Sequence, residues 1–226
     1  MGTCFFFLHR GSVWRNLGGL SGPAYRLRRD QRSVDAEDTY LLEAVREGWG
    51  IRILRQDLWE MIVSLFRYPR TTLSPASEKS IELLCSTVGT EQYTEEGLRY
   101  DTFPEPEAIA HAGIEVLSTL GLGYRDKYIL GAAQAVLDGS LDLEMLRLAD
   151  YETAHKELVK QYGIGKKVAD CICLFGLYHI EAFPVDTHVK KILEAHYPGG
   201  FPHERYKGYA GILQQYMFYH DLNAAA

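Results

Sequence analysis

The sequence lacks a long apolar segment, a cysteine cluster and an excess of positive charge, and each absence narrows the function. No apolar run reaches the roughly 20 residues that a membrane-spanning helix needs, so we expect no membrane association. Four cysteines without paired ligand spacing predict neither a cysteine-ligated metal site nor an iron–sulfur cluster. A net charge of −6 is evidence against nonspecific coating of nucleic acid, so any such binding has to be local.

The periodicity of apolar residues predicts an all-α fold behind an irregular N-terminal segment. Residues 1–36 are rich in Gly and Arg without periodicity, apart from an apolar run at Phe5–Leu8 that is typical of a buried strand. From residue 37 to residue 226, roughly eight or nine helical patterns follow one another with little strand. We therefore divide the chain into residues 1–36 and a helical core, residues 37–226.

Local signals place several helix ends. A helical pattern begins from Asp38 and should end at Gly48 and Gly50, and Asp57 is a predicted N-cap for the next helix. That next helix carries four apolar residues on its inward face, Leu58, Met61, Ile62 and Leu65. Pro69 and Pro75 should interrupt it, and each would cost about 3 kcal/mol inside a helix.

The turn Gly163-x-Gly165 is the strongest candidate site. A Gly-x-Gly turn that opens a helix leaves backbone N–H groups without partners, and such groups suit a phosphate. Lys167 lies just inside this helix and is a candidate nucleophile, provided that its amine is neutral when it attacks. About one helix further on, Pro184-Val185 leads into Asp186, whose carboxylate could stabilise positive charge on a sugar.

Each of these residues also has a purely structural interpretation. Short glycine turns between helices are common, and most lysines on helices are simply solvated. Asp186 suits the N-cap of a helix that starts at Thr187, although this role is compatible with catalysis because a capping carboxylate is held rigidly.

The combination resembles a known family. Tyr162–Asp170, followed by Asp186, resembles the helix-hairpin-helix and catalytic Asp loop of base-excision DNA glycosylases, the HhH-GPD superfamily. Lys167–Leu174 is similar to the 8-oxoguanine DNA glycosylase/AP lyase branch, and the resemblance extends over about residues 51–222. It implies two helical lobes with the hairpin near residues 157–175, and it makes residues 1–36 the remnant of a truncated N-terminal domain.

The resemblance also implies a role for each candidate residue. Lys167 would be the nucleophile and Asp186 the charge-stabilising carboxylate. Cys171 and Phe218 would lie on either side of a flipped base, with Gln214 at its polar edge. The residues implied to touch DNA are Tyr124, Arg125, Gly163, Gly165, Lys166 and His188.

The implied activity is excision of 8-oxoguanine followed by cleavage at the abasic site. The partner would be double-stranded DNA containing oxidised guanine, bound by a monomer in the cytoplasm of a bacterium, at the nucleoid. No catalytic metal is implied, although a structural monovalent or calcium ion at the hairpin carbonyls is compatible with the family. Three alternatives stay open: a monofunctional alkylpurine glycosylase, a DNA-binding pseudoenzyme with impaired lesion recognition, and a purely structural helical protein.

Two segments depart from the family pattern. Where the family has an Asn that contacts the orphaned cytosine, this chain has Arg67–Glu78. Codons exist for this segment that give Ile-Ser-Gln-Asn-Asn-Leu-Ile-Pro-Arg-Ile-Arg when they are read two bases later. A one-base shift in Gly19–Arg28 similarly permits Asp-Tyr-Leu-Asp-Leu-Arg-Thr-Asp-Tyr-Gly. We therefore hypothesise local frameshifts, which sequencing of the DNA over both segments tests.

Overall fold

A computed structural model describes residues 34–67 and 75–224 of the chain, without the side chains of residues 67 and 75–78. The predicted strand at Phe5–Leu8 and the altered segment Gly19–Arg28 lie outside the described residues. So does most of the altered segment Arg67–Glu78. The frameshift hypothesis therefore stays a prediction.

The described residues form ten α-helices and one small β-hairpin, which confirms the all-α fold class. The helices are α1 (Thr39–Glu47), α2 (Leu58–Arg67), α3 (Pro75–Val88), α4 (Pro106–Leu117), α5 (Asp126–Leu137), α6 (Leu143–Leu148), α7 (Tyr151–Val159), α8 (Lys166–Phe175), α9 (Thr187–His196) and α10 (Ala210–Ala224). Single 3₁₀ turns, Ser118–Leu120 and Gly123–Arg125, connect α4 to α5. None of the described helices is both long enough and apolar enough to cross a membrane.

The predicted end of α1 at Gly48 and the predicted N-cap of α2 at Asp57 are confirmed. The side chain of Asp38 caps α1 by accepting the Leu41 N–H at 2.9 Å, and Gly48 follows the last helical residue. Asp57 Oδ1 accepts the N–H groups at the start of α2 at 2.9 and 3.0 Å. The next helix begins at Pro75 itself. Because proline fits the first position of a helix, Pro75 carries none of the destabilisation that we expected of a proline inside one.

One small β-hairpin interrupts the helices, in keeping with the little strand that the sequence predicts. Strands β1 (Glu91–Tyr93) and β2 (Arg99–Asp101) pair antiparallel, with Glu91 opposite Asp101. Gly97 (φ +80°) lies in the connecting turn, where its N–H donates to the Thr94 carbonyl at 2.9 Å. Three-residue strands with mostly exposed side chains give no alternating pattern, so the positions of β1 and β2 could not be predicted from the sequence.

The chain divides into two compact units. The first comprises residues 34–56 and 170–224 of the described chain, and the second comprises residues 57–67 and 75–169. In the first unit, α10 packs against α1 and α9, and the rings of Tyr206 and Tyr216 are fully buried. Gly48 permits this packing because a Cβ there would lie 2.5 Å from the Tyr216 ring.

The second unit is built from α2 to α7 and the first residues of α8. Helix α4 packs against α3 and α5, and α5 also contacts α2. The buried indole N–H of Trp59 donates a hydrogen bond to the Pro104 carbonyl at 2.9 Å, which links α2 to the segment that precedes α4. The inward face predicted for α2 is confirmed, because its four apolar residues are at most 1% exposed. This unit supplies the rigid support for the hairpin that ends in α8.

Candidate active site

The hairpin between α7 and α8 is held by its own backbone hydrogen bonds. The Gln161 N–H donates to the Leu158 carbonyl at 3.0 Å, and the Ile164 N–H donates to the Gln161 carbonyl at 3.1 Å. Gly163 between them has φ +89°, a left-handed conformation that side chains disfavour. The Ile164 side chain is buried, so its packing in the interior also holds the turn in place.

Gly163 is also fixed by a close approach. A Cβ at this position would lie 2.6 Å from Cγ of Tyr128 and 2.9 Å from both Cδ atoms, which places the glycine directly on the face of that ring. At Gly165, by contrast, a Cβ would meet nothing within 4 Å. Packing therefore requires glycine at the first position only.

Helix α8 begins without a side-chain cap. Gly165 precedes it and has no side chain, and its carbonyl accepts the Ala169 N–H at 2.9 Å as the first intrahelical bond. The N–H groups of residues 166–168 have no acceptor among the described residues. Unpaired N–H groups at a helix start carry partial positive charge and attract an anion. This arrangement fits the predicted phosphate contact at the hairpin.

Lys167 is the second residue of this open helix start. Its side chain is partly buried, whereas that of Lys166 is exposed. Neither lysine forms an ion pair with a residue in the part of the chain that the structure describes. Lys167 belongs to the second unit, and the unit boundary falls within α8, before Asp170.

Asp186 caps helix α9, in the first unit. Its Oδ1 accepts the N–H groups of His188 at 2.9 Å and Val189 at 2.8 Å. The structural interpretation of Asp186 is therefore confirmed. Two charge-assisted hydrogen bonds fix the carboxylate in position, as a charge-stabilising group requires.

His188 lies beside an acid that the sequence analysis missed. Its Nε2 is 3.0 Å from Asp221 Oδ2, but the angle is not that of a hydrogen bond, and this buried nitrogen has no hydrogen-bond partner among the described residues. The Phe218 ring meets the imidazole edge-on, with the centroids 5.0 Å apart. Asp221 gave no signal in the sequence because α9 and α10 are brought together only by folding.

The three residues predicted to hold a base are buried. Cys171 is 2% exposed, Gln214 3% and Phe218 5%. Oε1 of Gln214 accepts a hydrogen bond from Gln215 Nε2 at 2.6 Å, so one polar group of this amide is already engaged. Burial raises the pKa of the Cys173 thiol, with smaller contributions from neighbouring acids, so that thiol stays protonated. Enclosure of a base by these residues stays a prediction.

Tyr124 and Arg125 lie on the 3₁₀ turn that leads into α5. Tyr124 is 63% exposed, and the Arg125 guanidinium carbon lies 4.5 Å from the centroid of its ring. Tyr128, one turn into α5, contacts both this ring and the hairpin. The second unit thus brings the predicted DNA-binding turn and the predicted DNA-binding hairpin onto one support, and the first unit brings Asp186, His188 and Phe218 together.

No group of three or more His, Cys, Asp or Glu side chains that could hold a metal ion occurs within residues 34–67 and 75–224. The ion implied at the hairpin would use backbone carbonyls instead. The Gly165 carbonyl already accepts the Ala169 N–H and keeps one further lone pair. A structural ion at the hairpin therefore stays a prediction.

Helices α7 and α8, with the glycine turn that joins them, form a helix-hairpin-helix. The chain matches the HhH-GPD superfamily of base excision DNA repair proteins over residues 72–203, more than half of its length, and it belongs to that superfamily.

Relatives and solved structures agree with this assignment. An N-glycosylase/DNA lyase of Saccharomyces cerevisiae is 33% identical over 159 residues, which cover 66% of this chain and 42% of the yeast protein. A probable N-glycosylase/DNA lyase of Methanothermobacter thermautotrophicus is 28% identical over 81% of this chain and 67% of its own. Among solved structures, the chain is similar to the 8-oxoguanine glycosylase/lyase of Clostridium acetobutylicum, solved with DNA containing cytosine opposite 8-oxoguanine. The two superpose with a TM-score of 0.80 at 29% identity, and the match covers 93% of this chain and 75% of the clostridial one. The chain thus spans less than half the length of the yeast relative.

Proposed function

We propose that this protein is a bifunctional DNA glycosylase that excises 8-oxoguanine and then cleaves the abasic site. The observation that carries the proposal is the start of α8, where Lys167 carries the middle one of three backbone N–H groups, those of residues 166–168, that have no acceptor among the described residues. A phosphate bound by those groups would place the adjoining deoxyribose close to the lysine. Similarity to glycosylase/lyases of yeast and Clostridium acetobutylicum supports the same activity.

In the proposed reaction, the neutral Nζ of Lys167 attacks C1′ of the damaged nucleotide. The bond between C1′ and the base breaks, and the base leaves with the bonding electron pair. The sugar ring then opens to a Schiff base between C1′ and Nζ, which permits loss of a proton from C2′ and elimination of the 3′ phosphate. Asp186 would stabilise positive charge on the sugar while the base departs.

Binding of DNA would be local rather than global, because the chain carries a net charge of −6. Arg125 lies in the turn, and Lys127 and Lys166 lie in the first turns of α5 and α8; none of these three is ion-paired within the described residues. These cations are therefore available to phosphates, and each phosphate contact should add to the salt dependence of binding.

The test is incubation of the full chain with labelled duplexes that hold 8-oxoguanine opposite each of the four bases. We expect strand cleavage without added alkali, and a covalent protein–DNA adduct when borohydride is present. Base release without an adduct would instead identify a monofunctional glycosylase. A duplex that contains an alkylated purine tests whether that monofunctional enzyme is an alkylpurine glycosylase. Tight binding without any product over long incubation would identify a DNA-binding pseudoenzyme. No affinity for any duplex would contradict the proposed function.

A further inference from the structure

Three tyrosine rings of the second unit form a row, which we call the tyrosine row: Tyr124, Tyr128 and Tyr162. The centroids of Tyr124 and Tyr128 are 5.8 Å apart with the rings at 79°, and those of Tyr128 and Tyr162 are 4.9 Å apart with the rings at 80°. Both contacts have the edge-to-face geometry that aromatic pairs prefer. The row therefore joins the turn before α5 to the hairpin before α8.

The middle ring is fixed by its surroundings. One face of Tyr128 carries Gly163, where even a Cβ would not fit, and Phe66 of α2 packs at a centroid distance of 5.7 Å. Tyr128 therefore cannot change its orientation without displacing the hairpin. Each of the two outer rings packs against this fixed ring.

The outer rings are nevertheless exposed to solvent. Tyr124 is 63% exposed and Tyr162 is 71% exposed. Each outer ring thus packs against Tyr128 and still leaves most of its surface open to a ligand, and such packing reduces the ordering that remains to be done on binding.

Charges beside the row indicate what that ligand is. The Arg125 guanidinium lies over the Tyr124 ring at 4.5 Å, and the side chains of Lys127 and Lys166 are exposed. None of these three cations is ion-paired to another residue that the structure describes. A ligand that combines negative charge with flat or apolar surface fits both features, and a nucleic-acid strand has this composition.

We propose that Tyr162 is a further DNA-contacting residue, which packs its ring on the sugar-phosphate strand next to the phosphate at the start of α8. Tyr128 is the positioning residue that holds Tyr162, Gly163 and Tyr124 in one arrangement. This inference rests on the proposed function, because it requires that the hairpin receives DNA. The contact is to the strand and not to a base edge, so it does not depend on the lesion.

The test compares Tyr162→Ala and Tyr162→Phe with a matched control, Tyr93→Ala. Tyr93 is a 61% exposed tyrosine of the same unit, on the β-hairpin. Fluorescence anisotropy would measure the Kd for an undamaged duplex and for one with a tetrahydrofuran abasic-site analogue, at several salt concentrations. We expect Tyr162→Ala to raise both Kd values by the same factor, about fivefold or more, and Tyr162→Phe to stay within about twofold of the wild type.

The salt dependence separates ring contact from charge. Tyr162→Ala should leave the slope of log Kd against log salt unchanged, whereas Lys166→Ala should reduce it by about one. If Tyr162→Ala lowers the melting temperature, Tyr162→Leu keeps apolar packing on Tyr128 and should still weaken binding. Unchanged affinity in Tyr162→Ala, equal weakening in Tyr93→Ala, or weakening confined to the abasic duplex would each overturn the proposal while leaving the proposed function intact. Failure of the wild type to bind either duplex would overturn both.

Discussion

Helices α8 and α9 begin in opposite ways. Gly165 precedes α8 and has no side chain, so the first N–H groups of that helix are open to an acceptor from outside. Asp186 precedes α9, and its Oδ1 accepts the N–H groups of His188 and Val189. An open helix start can take an anion from a ligand, whereas a closed one holds its own anion in a fixed place. Of the two predicted catalytic residues, Lys167 lies at the open start of α8 and Asp186 caps the closed start of α9.

Helix α2 offers a third case, a closed start that carries a second acid. Asp57 caps it through the N–H groups of Trp59 and Glu60. Burial, the Asp57 charge and the Glu105 charge together raise the pKa of Glu60 from 4.5 to about 7. Burial is the largest cause of this shift, so the raised pKa reflects the partly buried position of the Glu60 carboxyl together with the neighbouring Asp57 and Glu105 charges.

The largest expected effect is that of Lys167→Gln at the open start. Base release and borohydride trapping should fall by at least about a thousandfold, because the nucleophile is lost. DNA affinity should change little, since the backbone N–H groups remain. The measurements are single-turnover excision, adduct yield on a denaturing gel and Kd.

Lys166→Gln is the matched control, an exposed lysine one residue earlier. It should weaken DNA binding without abolishing the adduct. If Lys166→Gln removed activity and Lys167→Gln did not, the assignment of the nucleophile would be off by one residue.

Asp186→Asn should produce the next largest effect, at the closed start. The amide oxygen can still accept both N–H groups, but the charge is gone, so excision should slow by about a hundredfold to a thousandfold with little loss of stability. Asp186→Ala should slow excision similarly and also lower the free energy of unfolding by about 1 kcal/mol, because the cap is lost. Single-turnover kinetics and urea unfolding of both variants separate charge from cap. Near-normal excision by Asp186→Asn would remove this residue from the mechanism.

The starts of these helices were predictable because their signals are local. Asp57 and Asp186 each cap the helix that directly follows, so the chain order alone places each carboxylate next to the N–H groups that donate to it. The hairpin turn was predictable for the same reason, since glycine at residues 163 and 165 is a property of the turn itself.

What the sequence could not predict depends on contacts between distant residues. Nothing near Gly163 indicates that a ring from α5 lies on it, and nothing near His188 indicates Asp221 of α10. Strands β1 and β2 were missed because their side chains are mostly exposed and lack an alternating pattern. Such pairings are selected by the packing of whole helices, which no short window of sequence encodes.

The two glycines of the hairpin should differ in their effect on stability when each is replaced by alanine. The left-handed backbone (φ +89°) and the clash with Tyr128 should together lower the free energy of unfolding by roughly 2–4 kcal/mol. Gly165→Ala meets open space, and it should cost only a few tenths of a kcal/mol for the weaker N-cap. Urea unfolding of the two variants is the measurement. Equal losses would mean that Tyr128 does not constrain the turn.

The smallest expected effect is that of Glu60→Gln, at the closed start of α2. Because the pKa of Glu60 is raised to about 7 in the folded protein, the folded state keeps its proton in a range where the unfolded chain has lost it. Stability should therefore fall as pH rises from about 4.5 to about 7, and the loss should then persist at higher pH. Glu60→Gln should match the wild type near pH 4 and exceed its free energy of unfolding by roughly 1–3 kcal/mol at pH 8.

The matched control is Glu152→Gln. Glu152 is an exposed acid in the first turn of α7, a helix that Asp150 caps in the same way. That control should shift stability by a small, similar amount at both pH values. Urea unfolding at constant ionic strength between pH 4 and 8 gives both curves. If the wild type and Glu60→Gln ran parallel across that range, burial and the neighbouring acids would not raise the pKa of the Glu60 carboxyl in the folded protein.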